Sequence, residues 1–222
     1  MENQNQYLES LTEIRSIMER SSKFLSLSGL SGIAAGLTAL VAGLIASFYL
    51  DSDWNYHNYM ESGFGYKRAI ATDKLLFFFA LGAVTLFTAL LFAFFFTLRN
   101  AKKKNLPIWD KAAKLMLFHM SVPLAVGGFF VIVQVFHYEI IGLVAPSMLI
   151  FYGLALLNAS KYTVSDIKWL ALAEIALGLI ALIFFGYGLY FWILGFGILH
   201  IIYGSVIYFK YDRKSITITN NK

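Results

Sequence analysis

Six apolar stretches, separated by short polar or charged segments, constrain this chain more than any other feature of its sequence. They run from about 24 to 50, 75 to 98, 115 to 136, 140 to 157, 169 to 186 and 189 to 209. Crossing ~30 Å of hydrocarbon takes roughly 20 apolar residues in a helix, which satisfies its backbone N–H and C=O groups internally. A helix in a soluble protein shows an apolar stripe rather than an apolar cylinder, and a membrane β-barrel shows alternating segments of ~10 residues. Only 14% of the residues are charged and mean hydropathy is +0.66, whereas a soluble domain averages ~25% charged. The sequence predicts an all-α integral membrane bundle of six transmembrane helices, with the bilayer as its main partner.

The basic residues set the orientation. Arg15, Arg20 and Lys23 precede span one. Arg99, Lys102, Lys103, Lys104, Lys111 and Lys114 lie between spans two and three. Lys161 and Lys168 lie between spans four and five, and Lys210, Arg213, Lys214 and Lys222 follow span six. Only Lys67, Arg68 and Lys74 fall on the other side. Positively charged loops stay in the cytoplasm, so a bacterial inner (plasma) membrane protein with both termini cytoplasmic is expected. Trp54 and Trp192 fall at outer boundaries of this arrangement and Trp109 and Trp169 at inner ones, where an interfacial aromatic belt places them. The basic pI of about 9.3 thus reflects topology, not nucleic-acid binding.

Three regions follow: a cytosolic amphipathic helix at 1–23, the six-span domain at 24–209, and a cytosolic tail at 210–222. In the first, Leu8, Leu11, Ile14, Ile17 and Met18 recur at helical spacing opposite Glu and Arg. That face either rests on the membrane or on the protein's own loops, or docks a cytoplasmic protein partner through residues 2–20. Four acids in this segment (Glu2, Glu9, Glu13, Glu19) set it apart from a cleaved signal peptide. Outside the membrane, 51–73 is the one long loop; its Trp54, Tyr56, His57, Tyr59, Met60, Phe64 and Tyr66 suit a cap over the helix ends or else a ligand-binding lid.

The other external turns are tight, so spans three and four, and five and six, are expected to form helical hairpins. Ile33-Ala34-Ala35-Gly36-Leu37-Thr38-Ala39-Leu40 resembles Ile175-Ala176-Leu177-Gly178-Leu179-Ile180-Ala181-Leu182, and Leu124-Ala125-Val126-Gly127 occupies the corresponding place in span three. Tyr152-Gly153 and Tyr203-Gly204 repeat at an offset of 51 residues. The expectation is three hairpins on a common plan, all entering from the cytoplasm, an arrangement that transporters use. Gly32 and Gly36 form a small-xxx-small pair that permits close helix approach, either to a neighbouring span or to a second copy in a homo-oligomer. Pro123 and Pro146 each interrupt a span and are candidate kinks.

One acid lies within a span. Glu174 is six residues beyond Lys168, about 9 Å into the helix at 1.5 Å per residue. An ionisable group in lipid costs at least ~2.5 kcal/mol and therefore requires a partner or a proton. His119, His200, Tyr152 and Tyr203 fall in the same cytoplasmic half, and a single polar layer of Glu174 with His119, His200 and the two tyrosines is expected. Such a layer either relays a proton or binds a cation or polar ligand, or else is a hydrogen-bond network fixing helix register.

Other chemistry is excluded by composition. The absence of cysteine removes disulfides, thiolate catalysis and thiolate metal sites. There is no paired-acid, His-Glu-x-x-His, Ser-elbow or phosphate-loop motif, and four histidines at 57, 119, 137 and 200 lack metal-ligand spacing. No catalytic residue, metal or cofactor is expected.

The run from Arg20 to Gly32, Arg-Ser-Ser-Lys-Phe-Leu-Ser-Leu-Ser-Gly-Leu-Ser-Gly, resembles the start of span one in uncharacterised bacterial six-span inner-membrane proteins. The resemblance implies no activity and assigns no functional residue. The leading expectation is a non-enzymatic binding, sensing or regulatory membrane protein; the alternative is a small transporter or channel using the intramembrane Glu/His layer.

Overall fold

A computed structural model describes residues 23–24, 26–51, 72–138 and 140–213, and these are all-helical, with no strand among them. The expected amphipathic helix (apart from Lys23), nearly all of the 51–73 loop and the tail beyond 213 lie outside the described residues. The helices are α1 (Gly29–Asp51), α2 (Thr72–Lys104), α3 (Lys111–Phe136), α4 (Val144–Ala159, between 3₁₀ turns at Ile141–Leu143 and Ser160–Tyr162), α5 (Ile167–Ile183) and α6 (Gly188–Asp212). Five of them, α1, α2, α3, α4 with its turns and α6, are long and apolar enough to cross a membrane. The chain is an α-helical membrane protein. At 17 residues α5 is shorter, about 26 Å.

Local chemistry explains where the helices stop. Asn105 takes a left-handed φ of 50°, while Leu106 N–H bonds the Ala101 carbonyl (3.0 Å) and Asn105 N–H that of Lys102 (3.3 Å). This is a Schellman ending, and Pro107 prevents continuation. Five residues later Asp110 restarts the chain as the cap of α3, accepting from Ala113 N–H at 2.7 Å. The turn after α5 depends on Gly186, whose φ of 94° only glycine adopts without strain.

Three boundaries differ from the sequence expectation. Span one, expected from residue 24, becomes helical only at Gly29, because the preceding residues are held by other parts of the chain. The last helix, expected to end near 209, continues to Asp212 and takes in the start of the expected tail. Pro146 does not interrupt a span: it sits in the first turn of α4, where a missing N–H has no intrahelical acceptor to lose. Pro123 does lie inside α3, which continues through it.

Helix α1 packs between α2 and α6, and α4 packs between α3 and α5; α6 also touches α4 and α5. Glycine decides both central seams. A Cβ at Gly36 would lie 2.7 Å from the Gly197 carbonyl and 2.7 Å from Ile201 Cγ1, and one at Gly204 would lie 2.5 Å from Ile33 N and 2.8 Å from the Gly29 carbonyl. A Cβ at Gly32 would lie 3.1 Å from the Cα of Gly204. The small-residue pair of α1 thus faces α6 of the same chain. On the other seam, a Cβ at Gly178 would lie 2.7 Å from Ile150 Cγ1 and 3.0 Å from the Pro146 carbonyl, and one at Gly153 would lie 2.8 Å from the Ala171 carbonyl and 2.9 Å from Ile175 N. The contacts correspond residue by residue. Pro146, Ile150 and Gly153 precede Gly197, Ile201 and Gly204 by 51 residues, and Gly29, Ile33 and Gly36 precede Ala171, Ile175 and Gly178 by 142.

The two outer helices differ. Most of α2 and α3 is exposed, and each packs along its length on one helix, α1 or α4. A buried cluster of Leu156, Ile167, Leu170, Ala171 and Ile207 lies toward the end of the bundle that carries the basic loops, hereafter the basic end.

Candidate functional site

Glu174 projects from α5 and is completely buried. Its Oε1 lies 3.4 Å from Nδ1 of His200 on α6, and its Oε2 lies against Gly195, where a Cβ would come within 2.6 Å of it. Gly195 is therefore the gap that lets a carboxyl group lie on the backbone of α6. The local helix is unusual: Ile193–Leu199 is π-helical, as is Tyr208–Asp212 at the end of α6, a form frequent at functional sites.

His200 holds the cluster together. Its Nδ1 lies 3.0 Å from the Gly195 carbonyl, and its Nε2 lies 2.7 Å from the hydroxyl of Tyr152 on α4. One neutral tautomer fits both contacts: Nδ1–H donates to the carbonyl and Nε2 accepts from Tyr152. Phe196 stacks on the imidazole with centroids 6.0 Å apart, Tyr152 lies 5.0 Å from Phe196, and Trp192 lies 5.3 Å from it. Aromatic rings thus shield the cluster on one side, with Leu149 and Leu177 beside Gly195.

Neither carboxyl oxygen of Glu174 has a hydrogen-bond partner; Gln134 Oε1 is the other such buried side-chain atom among the described residues. Native structures seldom leave a buried polar group unsatisfied, and each exception calls for a proton, water, ion or ligand that completes it. A Glu174–His200 pair is net neutral in either form, as a carboxylic acid beside a neutral imidazole or as a carboxylate beside an imidazolium protonated at both Nδ1 and Nε2. Because Nδ1, which faces Glu174, already carries its proton, the site passes between the two forms only through Nε2 on the Tyr152 side, with no change of net charge.

Of the expected polar layer, Glu174, His200 and Tyr152 come together. His119 does not join them: it stacks on Tyr162 (centroids 4.8 Å, 15° between planes) and makes a 2.9 Å hydrogen bond with the Tyr162 hydroxyl. Depth along a helix places a residue in a layer, but helix rotation decides which groove it enters, and α3 turns His119 toward the end of α4. Tyr203 lies one turn beyond His200 and packs on the apolar cluster at the basic end.

A second polar centre is absent from the sequence reading. Asp212, buried at the end of α6, accepts from Ser28 Oγ (3.0 Å), Gly29 N–H (2.9 Å), Asn100 Nδ2 (3.1 Å) and Lys104 Nζ (3.1 Å). The carboxylate caps the positive N-terminal end of α1 from another helix and neutralises a lysine of α2. Asn100 also donates to the carbonyls of Ser26 (3.1 Å) and Leu27 (3.0 Å). Farther along, Phe24 N–H bonds the Tyr162 carbonyl at 2.7 Å and Thr163 Oγ1 bonds the Phe24 carbonyl at 2.9 Å. Phe24, Ser26 and Ser28 are buried, so this non-helical approach to α1 straps the basic end of the bundle. The one available signal was a lone acid among Lys210, Arg213 and Lys214.

Comparison with known proteins yields no matching family, no similar curated protein and no similar solved structure.

Proposed function

We propose that this is a non-enzymatic regulatory or sensing protein of the bacterial inner membrane, with the buried Glu174–His200–Tyr152 cluster as its proton-responsive centre. The observation that carries this reading is the fully buried Glu174 carboxyl group without a hydrogen-bond donor. A network serving only to fix helix register would satisfy its central acid. Taking up or releasing one proton here reverses the Tyr152–His200 hydrogen bond, because an imidazolium Nε2 donates where the neutral ring accepts.

Trp192 offers a direct readout through Phe196. In a variant that keeps Trp192 alone (Trp54, Trp109 and Trp169 replaced by Phe), fluorescence in lipid nanodiscs should titrate sigmoidally with pH. Glu174→Gln should abolish or displace that transition while leaving the helical content unchanged. An identical titration in Glu174→Gln and His200→Gln would exclude the cluster as the proton-responsive centre.

A transport reading uses the same cluster and is favoured by the π-helical Ile193–Leu199 beside it. It requires proteoliposome flux that Glu174→Gln alters; flux indifferent to that change would dismiss it.

The topology belonging to this proposal has six spans, in three hairpins entering from the cytoplasm, with both termini inside. The fifteen-to-three distribution of basic residues supports the orientation. Helix α5, although only 17 residues long, lies at the lower limit for crossing. The residue-by-residue equivalence of the two glycine seams supports the repeated-hairpin plan. Since the chain has no cysteine, single-cysteine labelling tests the arrangement cleanly. An impermeant maleimide should label Tyr187→Cys in spheroplasts and Ser165→Cys only after lysis. Labelling of both from one side would mean that α5 does not cross.

A further inference from the structure

In the hairpin plan there are three junctions between one hairpin and the next, and only two are closed. Helices α4 and α5 meet through Gly153 and Gly178, and α6 and α1 meet through Gly36 and Gly204. At the third, α2 and α3 are consecutive and joined by the tight 105–110 turn, yet they do not pack along their length. At the far end Phe79 and Phe136 touch, with centroids 5.5 Å apart. The result is a slot closed at one end by this ring pair and at the other by Phe24 and Leu27 of the strap, which pack with Ala112, Ala113 and Met116, and bordered by helices that expose Phe87, Phe94, Phe118 and Phe129.

The end of this slot at the 105–110 turn is strongly basic. Arg99, Lys102, Lys103, Lys111 and Lys114 are exposed, and among the described residues none of them enters a salt bridge. Lys104 differs, because Asp212 holds it. The one acid between residues 99 and 114 is Asp110, and its carboxylate already caps α3. Trp109, 65% exposed, stands in the same turn, and indole rings settle at the level of lipid headgroups.

From this juxtaposition we infer that the α2–α3 junction is a binding site for an anionic diacyl phospholipid. The acyl chains fill the open slot, and the phosphate headgroup is held by Lys102, Lys103, Lys111 and Lys114. The charge pattern selects the sign of the headgroup, since four unpaired ammonium groups at a membrane surface favour an anionic lipid over a zwitterionic one. The slot selects a lipid over a soluble anion, because a free phosphate would leave the exposed apolar faces of α2 and α3 uncovered. The inference is independent of the proton-responsive cluster, which lies on other helices.

Native mass spectrometry of the full-length protein tests it, with phosphatidylglycerol and phosphatidylcholine of matched chains added to the same detergent. Phosphatidylglycerol should be retained at least tenfold more than phosphatidylcholine, and replacing all four lysines by Gln should reduce that preference about tenfold. Replacement by Arg should preserve it, which separates lost charge from lost folding. Inorganic phosphate should not compete. Equal retention of the two lipids, or an unchanged preference in the Gln variant, would overturn the proposal. So would competition by inorganic phosphate, which would make the site one for a soluble anion. Two further results would assign the slot to protein: a lipid-free dimer in the same spectra, or gain of the lipid only after residues 2–20 are deleted.

Discussion

Replacing Asp212 with alanine is expected to destabilise the bundle by about 3–5 kcal/mol, the range for breaking a buried ion pair by removing one partner. The carboxylate is 7% exposed and receives donors from the approach to α1, from α1 itself and from α2. Without it, Lys104, 15% exposed, loses its counter-charge, and the first N–H of α1 loses its acceptor at the helix end where negative charge is most favourable. Asn100 remains anchored by the Ser26 and Leu27 carbonyls, so α2 should stay attached to the strap. Asp212→Asn should cost less, because its amide oxygen keeps an acceptor for Gly29 and Ser28, although its NH2 group replaces the oxygen that accepts from Asn100 and Lys104. Unfolding by sodium dodecyl sulfate in mixed micelles, followed by circular dichroism, reads the difference. An alanine variant within 1 kcal/mol of the wild type would show that the carboxylate does not clasp α1, α2 and α6.

The second large effect concerns a methyl group. Gly204→Ala should cost about 3 kcal/mol, the upper part of the usual range for overpacking a close-packed interior. The added carbon would lie 2.5 Å from Ile33 N, 2.8 Å from the Gly29 carbonyl and 2.9 Å from Gly32 C. All three are backbone atoms, so no rotamer change relieves the clash and α1 and α6 must separate. Gly82→Ala and Gly128→Ala are internal controls, since a Cβ at either position meets no atom within 4 Å. Their stabilities should remain within about 0.5 kcal/mol of the wild type. Equal losses at all three positions in the same unfolding assay would mean that the α1–α6 seam is looser than its geometry indicates.

Much of the helical architecture was legible because its cause is local. A run such as Leu75 to Leu98 carries no charge at all, and lipid solvation then demands helix whatever lies beside it. The Gly32–Gly36 pair likewise announced a close approach, although its partner, Gly204 and Gly197 on α6, follows only from how the helices are arranged. The polar layer was legible in part for the same reason. Residue counting gives height along a helix, and it grouped Glu174, His200 and Tyr152, which the structure brings together. It gives no rotation, so His119 was placed with them although α3 directs it to Tyr162. Asp212 escaped notice because its importance is wholly non-local: its partners lie more than 100 residues away in sequence.

The sequence by itself determined a helical membrane protein, its apolar helices and the presence of a lone acid, Glu174, within an apolar run. Those properties depend on each residue's free energy of transfer between water and hydrocarbon, which a residue carries wherever it is placed. Only the tertiary structure decided that Glu174 rests against Gly195 beside His200, that Asp212 caps α1, and that α2 and α3 stand apart. Those properties depend on rotation and register between helices, set by contacts of a few ångströms such as Gly204 on Ile33, and such contacts leave no periodic trace in a single apolar sequence.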